Sequence, residues 1–133
     1  MLNATVLRFL LDTNIIIALF AQEVAVLQQL NQALEVFIPS IVLGELYYGA
    51  EKSVNAAANV RRIDELAARS AVLACDGETA EHYGRIKNEL RAKGKPLPEN
   101  DIWVSAVALH HGLVLVTRDA HFQEVAGLSA VAW

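Results

Sequence analysis

At 133 residues, 54% hydrophobic and 20% charged, the chain has the size and apolar content of one globular domain, which excludes intrinsic disorder. A formal net charge of −4 excludes a protein that coats nucleic acid by bulk charge, though not one with a local basic patch. One cysteine, Cys75, excludes an internal disulfide framework and a multi-cysteine zinc site, and suits a reducing cytoplasm.

The elements follow from apolar runs and their punctuation. Residues 6–11 read as a short buried strand, and Asp12-Thr13-Asn14 as a turn that caps a helix over 14–20. Residues 25–34 form a second helix, with Leu27, Leu30 and Leu34 at helical spacing. Val36-Phe37-Ile38 is a three-residue strand stopped by Pro39, after which a helix runs from Ser40 to about Ala50. Residues 55–69 make a polar-faced helix, with Val60, Ile63, Leu66 and Ala67 on its inner stripe. A strand at 71–74 precedes a helix over 78–92, which Lys93-Gly94-Lys95-Pro96 ends. A further helix over 98–111 is closed by Gly112. Residues 113–117 are the clearest buried strand, followed by a short turn or helix at 120–125 and an edge strand at 129–132.

Strands alternating with helices predict an α/β fold, a single domain over 1–133 with a mostly parallel sheet covered by helices on both faces. Asp12 and Asn14 interrupt the apolar N-terminal run, and the charge at Arg8 comes late, so neither a signal peptide nor a membrane span is expected.

Four carboxylates stand where charge is costly. Asp12 ends Phe9-Leu10-Leu11, and Glu45 lies within Ile41-Val42-Leu43-Gly44-Glu45-Leu46-Tyr47. Asp101 precedes Ile102-Trp103-Val104, and Asp119 follows the strand that begins Leu113-Val114-Leu115-Val116. Acids beside a core are expensive unless paired or bound to metal. Each also has a plainer account: Asp12, Asp101 and Asp119 suit helix starts, and Glu45 suits an exposed helix face. Jointly they point elsewhere. Sites in open α/β sheets form at the carboxyl ends of strands, and the fold rule brings Asp12, Asp101 and Asp119 to one edge. An oxygen-only cluster suits Mg²⁺ or Mn²⁺ and phosphodiester chemistry.

These segments resemble the four acidic motifs of the PIN-domain ribonucleases. Leu10-Leu11-Asp12-Thr13-Asn14 resembles the opening signature, and Pro39-Ser40-Ile41-Val42-Leu43-Gly44-Glu45-Leu46-Tyr47-Tyr48-Gly49-Ala50 the second motif. Pro98-Glu99-Asn100-Asp101-Ile102-Trp103-Val104-Ser105-Ala106 resembles the third, and Val116-Thr117-Arg118-Asp119-Ala120-His121-Phe122 the fourth. Order and spacing hold over essentially the whole chain, and a lone domain of this size resembles VapC toxins of VapBC toxin–antitoxin systems. The resemblance implies metal-binding catalytic roles for Asp12, Glu45, Asp101 and Asp119, with Asp12 and Asp101 touching metal directly. It implies supporting roles for Asn14, Asn100 and Thr117. It further implies a Mg²⁺-dependent endoribonuclease (Mn²⁺ being an alternative) in which metal-activated water cuts structured RNA, leaving 5′-phosphate and 3′-hydroxyl ends. The implied partners are an antitoxin and a second copy of the chain, with DNA reached only through the antitoxin. Leu27, Leu30, Leu46 and Tyr47 are expected to meet the antitoxin.

Arg85, Lys87, Arg91, Lys93 and Lys95 lead into the third motif, with only Glu89 among them as an acid. They read as an RNA-backbone patch, with Arg118 as a further phosphate contact; an ordinary solvated helix face explains the run equally well. The four histidines look incidental, since His110 and His111 are adjacent and His82 and His121 lack a ligand-spaced partner. Trp103 and Tyr47-Tyr48 read as core or interface. Two rivals are weaker. A phosphotransfer domain of the haloacid-dehalogenase type wants a second Asp where Asn14 stands, and a receiver wants an acidic pair that is missing. A non-catalytic scaffold would not be expected to keep all four acids.

Overall fold

A computed structural model describes residues 8–133. In chain order the elements are β1 (Arg8–Leu11), α1 (Thr13–Phe20), α2 (Val24–Gln32), β2 (Glu35–Pro39), α3 (Ser40–Glu51) and α4 (Ala56–Arg69). There follow β3 (Ala71–Leu73), α5 (Gly77–Ala92), α6 (Glu99–His111), β4 (Val114–Val116), a 3-10 turn (Ala120–Glu124) and β5 (Ala130–Val131). Val6 and Leu7, also expected in the first strand, lie outside the described residues.

The strands form one sheet in the order β3-β2-β1-β4-β5, and every neighbouring pair is parallel. The chain steps outward from β1 to β2 to β3, then returns across β1 to β4 and β5. With right-handed crossovers, the helices of the outward steps cover one face and α5–α6 of the return cover the other. The order reverses at β1, so the crevice between the carboxyl ends of β1 and β4 is the expected ligand position.

Apolar residues explain the strands. Leu10, Leu11, Ile38, Leu115 and Val116 are buried, as a two-sided parallel sheet demands. Helix α6 is buried along most of its length through Ile102, Val104, Ala106, Val107 and Ala108, and it packs on α5. Its end is fixed by Gly112, whose φ of 64° suits glycine in the left-handed region.

Several boundaries differ from expectation. Helix α2 stops at Gln32 because Ala33 is already extended, leaving Leu34 exposed ahead of β2. Pro39 does not stop β2 but closes it, paired with Leu73; a strand's last residue tolerates the missing donor. Asn55 flanks α4 without a side-chain cap. Residues 120–125 resolve into the 3-10 turn, and the last strand shortens to Ala130–Val131. Among the described residues no single helix is long and apolar enough to cross a membrane.

Candidate active site

Asp12 follows β1 and caps α1. Its carboxylate accepts from the Thr13 N–H at 2.8 Å and from the Thr117 hydroxyl at 2.7 Å. The cap reading of Asp12 therefore holds, and the capping carboxylate also lines a cavity. Its backbone N–H donates to Val116 at 3.0 Å, which ties the turn after β1 to the end of β4. Asp12 and Thr117 are both buried. Burial pushes the Asp12 carboxyl up; the Thr117 and Thr13 bonds act against that, while the Asp101 and Glu45 charges add to it.

Glu45 reaches in from α3. It accepts from the Thr13 hydroxyl at 2.6 Å and from the Asn100 amide at 3.4 Å. Asp101 stands in the first turn of α6, where the helix dipole favours an acid. Burial also raises its carboxyl, as do the Glu45 and Asp119 charges; His121 opposes the rise. Asp119 caps the 3-10 turn by accepting from the His121 N–H. Its side chain is 42% exposed against 17% for Asp101, so it is the more open of the two.

All four acids line one cavity of about 610 Å³, together with Thr13, Asn14, Ile17, Pro98, Glu99 and Asn100. Asn14 holds the floor of the site. Its amide lies 3.4 Å from both Asp12 and Thr117, and its carbonyl oxygen accepts the Arg118 N–H at 3.1 Å. Asn100 lines the cavity and donates to Glu45, because successive first-turn residues of α6 fan across the cavity mouth.

Two residues escaped the sequence reading. Thr13, in the first turn of α1, donates its hydroxyl to Glu45 on α3. His121 is not incidental: its Nε2 lies 2.7 Å from Asp101 and its Nδ1 2.7 Å from Asp119. The available signal was Asp119-Ala120-His121, a spacing that a tight turn folds back on itself.

The donor chemistry fits a divalent cation. Carboxylate oxygens predominate, and Asp12 and Asp101 are destabilised by burial and by neighbouring carboxylates, a charge excess that a cation relieves.

The basic residues fall into two groups. Arg85 meets Glu89, Lys87 meets Glu99 at 3.0 Å and the Tyr83 hydroxyl, and Lys93 meets Glu124. Arg118 is held in a two-pronged ion pair with Glu23, and its Nε donates to the Trp133 carbonyl. Arg91 and Lys95 have no ion pair among the described residues. Tyr83 and Trp103 stack with ring centroids 4.1 Å apart, joining α5 to α6. Of the residues expected to meet a partner, Leu46 is buried yet lines a small groove with Phe20, Gly49 and Ile63, and Tyr47 bonds Asp64. Leu27 is 39% exposed, and Leu30 packs partly on the core.

Comparison with known proteins gives concordant results. The family model described as "PIN domain" matches residues 9–128. Ribonuclease VapC2 of Haemophilus influenzae is 38% identical over 130 residues, covering 96% of this chain and 98% of that protein. A tRNA(fMet)-specific endonuclease VapC of Shigella flexneri is 37% identical over 131 residues, covering 96% and 98%. Among solved structures, DNA-bound VapBC from Salmonella typhimurium superposes with a TM-score of 0.89 at 33% identity, covering 95% of this chain and 98% of that one.

Proposed function

The chain belongs to the PIN-domain family, and from that premise we propose that it is the endoribonuclease toxin of a VapBC-type toxin–antitoxin pair. The observation that carries this is the convergence of Asp12, Glu45, Asp101 and Asp119 on one cavity. In this proposal Asp12 and Asp101 hold one or two Mg²⁺ ions, with Mn²⁺ as the alternative, and Glu45 and Asp119 complete the charge. Bound there, such an ion lowers the pKa of water and offsets negative charge on the scissile phosphate.

The chain's own groups prepare that chemistry. Thr117 and the Thr13 N–H fix the two oxygens of Asp12, and Asn14 braces Thr117. Thr13 and Asn100 aim Glu45. Asp119, open to solvent, is the group placed to take a proton from the attacking water. No protein nucleophile is needed: water adds to phosphorus, the bond to the 3′-oxygen breaks, and the products carry 5′-phosphate and 3′-hydroxyl ends.

The substrate class we propose is structured RNA cut in a looped or single-stranded segment. The basic residues Arg85, Lys87, Arg91, Lys93, Lys95 and Arg118 supply backbone contacts, with Arg91 and Lys95 foremost because the others are shared with acids. The antitoxin covers the groove at Leu46 and Phe20, the toxin acts as a homodimer in the cytoplasm, and DNA is met only through the antitoxin. The supporting facts are the likeness to VapBC complexes and exposed Ile17, Val24 and Tyr48.

The test is cleavage of total tRNA and ribosomal RNA by purified protein with Mg²⁺, with EDTA, and with Asp12→Asn or Asp101→Asn. Discrete products that vanish with EDTA and with either substitution support the proposal. No cleavage by folded, antitoxin-free protein under any divalent metal overturns it in favour of a binding scaffold.

A further inference from the structure

His121 occupies an unusual place. Its ring lies between two carboxylates, with Nε2 2.7 Å from Asp101 and Nδ1 2.7 Å from Asp119. One ligating atom from each of Asp101, Asp119 and His121 lies within 4.8 Å of the other two. Metal bonds of about 2.0–2.2 Å place ligand atoms on opposite sides of an ion roughly 4.4 Å apart. The three groups can therefore reach a single ion with side-chain adjustments alone.

The backbone makes this placement firm. Phe122, the next residue, is 1% exposed and anchors the turn in the core. The His121 N–H donates to Asp119, so the turn that carries the imidazole is also the turn that orients the acid. The ring itself is 35% exposed and rests against two acids that line the cavity. Burial of Asp101 beside Glu45 and Asp119 leaves this end of the cavity short of positive charge.

Resting on the proposed metal-dependent reading of the same cavity, we propose that His121 is a metal ligand. With Asp101 and Asp119 it forms a mixed nitrogen–oxygen subsite that takes a first-row transition ion such as Mn²⁺ in preference to Mg²⁺. Imidazole nitrogen is a ligand for transition ions, whereas Mg²⁺ is held almost wholly by oxygen. Asp12 and Glu45, which line the same cavity, offer an ion oxygen alone.

The experiment is pulsed EPR of Mn²⁺ added to the metal-free full-length protein, read for coupling to an imidazole nitrogen, with binding constants for Mn²⁺ and Mg²⁺ measured alongside. Wild type is expected to show nitrogen coupling. His121→Gln is expected to lose it, to bind Mn²⁺ at least about 10-fold more weakly, and to change less towards Mg²⁺. The controls His82→Gln, His110→Gln and His111→Gln are expected to keep the coupling. His110 lies at the far end of α6, about 13 Å along the helix from Asp101, beside Asp76 and Glu78.

Bound Mn²⁺ without nitrogen coupling in wild type overturns the inference while leaving an oxygen-bound metal site intact. Coupling that survives His121→Gln, or that disappears in one of the controls instead, also overturns it. A folded wild type that binds neither Mn²⁺ nor Mg²⁺ overturns the metal-dependent reading, and this inference with it.

Discussion

The Thr117 hydroxyl donates to Oδ2 of Asp12 at 2.7 Å across 105 positions of sequence, joining the end of β4 to the end of β1. The same hydroxyl oxygen accepts the Asp119 N–H at 3.1 Å. One small buried side chain thus sets the positions of two acids.

Thr117→Val tests that role. Valine keeps the shape and removes the hydroxyl, so Asp12 loses a partner inside a buried site. The expected cost is about 1–3 kcal/mol in unfolding free energy, measured by urea denaturation. RNA cleavage is expected to fall about 10–100-fold, as for other residues that orient metal-binding groups. An unchanged cleavage rate would show that Asp12 needs no bracing from β4.

Asp12→Asn should separate stability from activity. Asparagine still caps α1 and still accepts a hydrogen bond, but it removes a charge that burial, Asp101 and Glu45 all disfavour. The metal-free variant is expected to melt about 2–6 °C higher than metal-free wild type while losing cleavage. Adding Mg²⁺ should raise the melting temperature of wild type and leave that of the variant nearly unchanged. A lower melting temperature for the metal-free variant would mean that hydrogen bonding to Asp12 outweighs its charge cost.

Asp12, Asp101 and Asp119 were legible in the sequence because each stands at the junction of an apolar run and a helix start, and Glu45 because it is a lone charge inside an apolar helical run, local patterns that survive without tertiary knowledge. The sheet was legible for the same reason: buried parallel strands read as apolar runs such as Phe9-Leu10-Leu11 and Val114-Leu115-Val116. His121 was legible only in part: Asp119 stands two positions before it, but its contact with Asp101 is fixed by where the turn after β4 meets α6, and no spacing along the chain reports that. The bond from Thr13 to Glu45 spans 32 positions and was hidden likewise. The pairing of Arg118 with Glu23 also depends on the fold, since a lone arginine beside an acidic motif says nothing of a glutamate 95 positions away.

Asp76 gives a pH signature outside the active site. It caps α5, accepting from the Thr79 N–H at 3.1 Å and from the Thr79 hydroxyl at 3.1 Å. The backbone bond from Thr79 chiefly, with the Thr79 hydroxyl and nearby His110, holds its carboxyl below the ordinary carboxylate range. A depressed acid stabilises the fold above its unfolded pKa, and that contribution is lost as pH falls through the folded value. Asp76→Asn keeps the capping oxygen without the charge. Its stability deficit against wild type, read by urea denaturation, should be present near neutrality and shrink below about pH 4. A deficit independent of pH would assign the capping effect to geometry alone.

Arg91 and Lys95 should dominate the electrostatic grip on RNA. Lys87 must give up Glu99 to meet a phosphate, and Arg118 must give up Glu23. Exchanging one anion for another yields little net counterion release, whereas an unshared cation releases its full share. Each single-strand phosphate contact contributes about 0.7 to the slope of log affinity against log salt. Arg91→Ala with Lys95→Ala is therefore expected to flatten the slope by about 1.4, measured with an uncleavable RNA or in EDTA. Lys87→Ala and Arg118→Ala should flatten it less. Equal effects from all four would mean that RNA displaces the acids from their partners, and that Glu99 and Glu23 hold these cations only in the free protein.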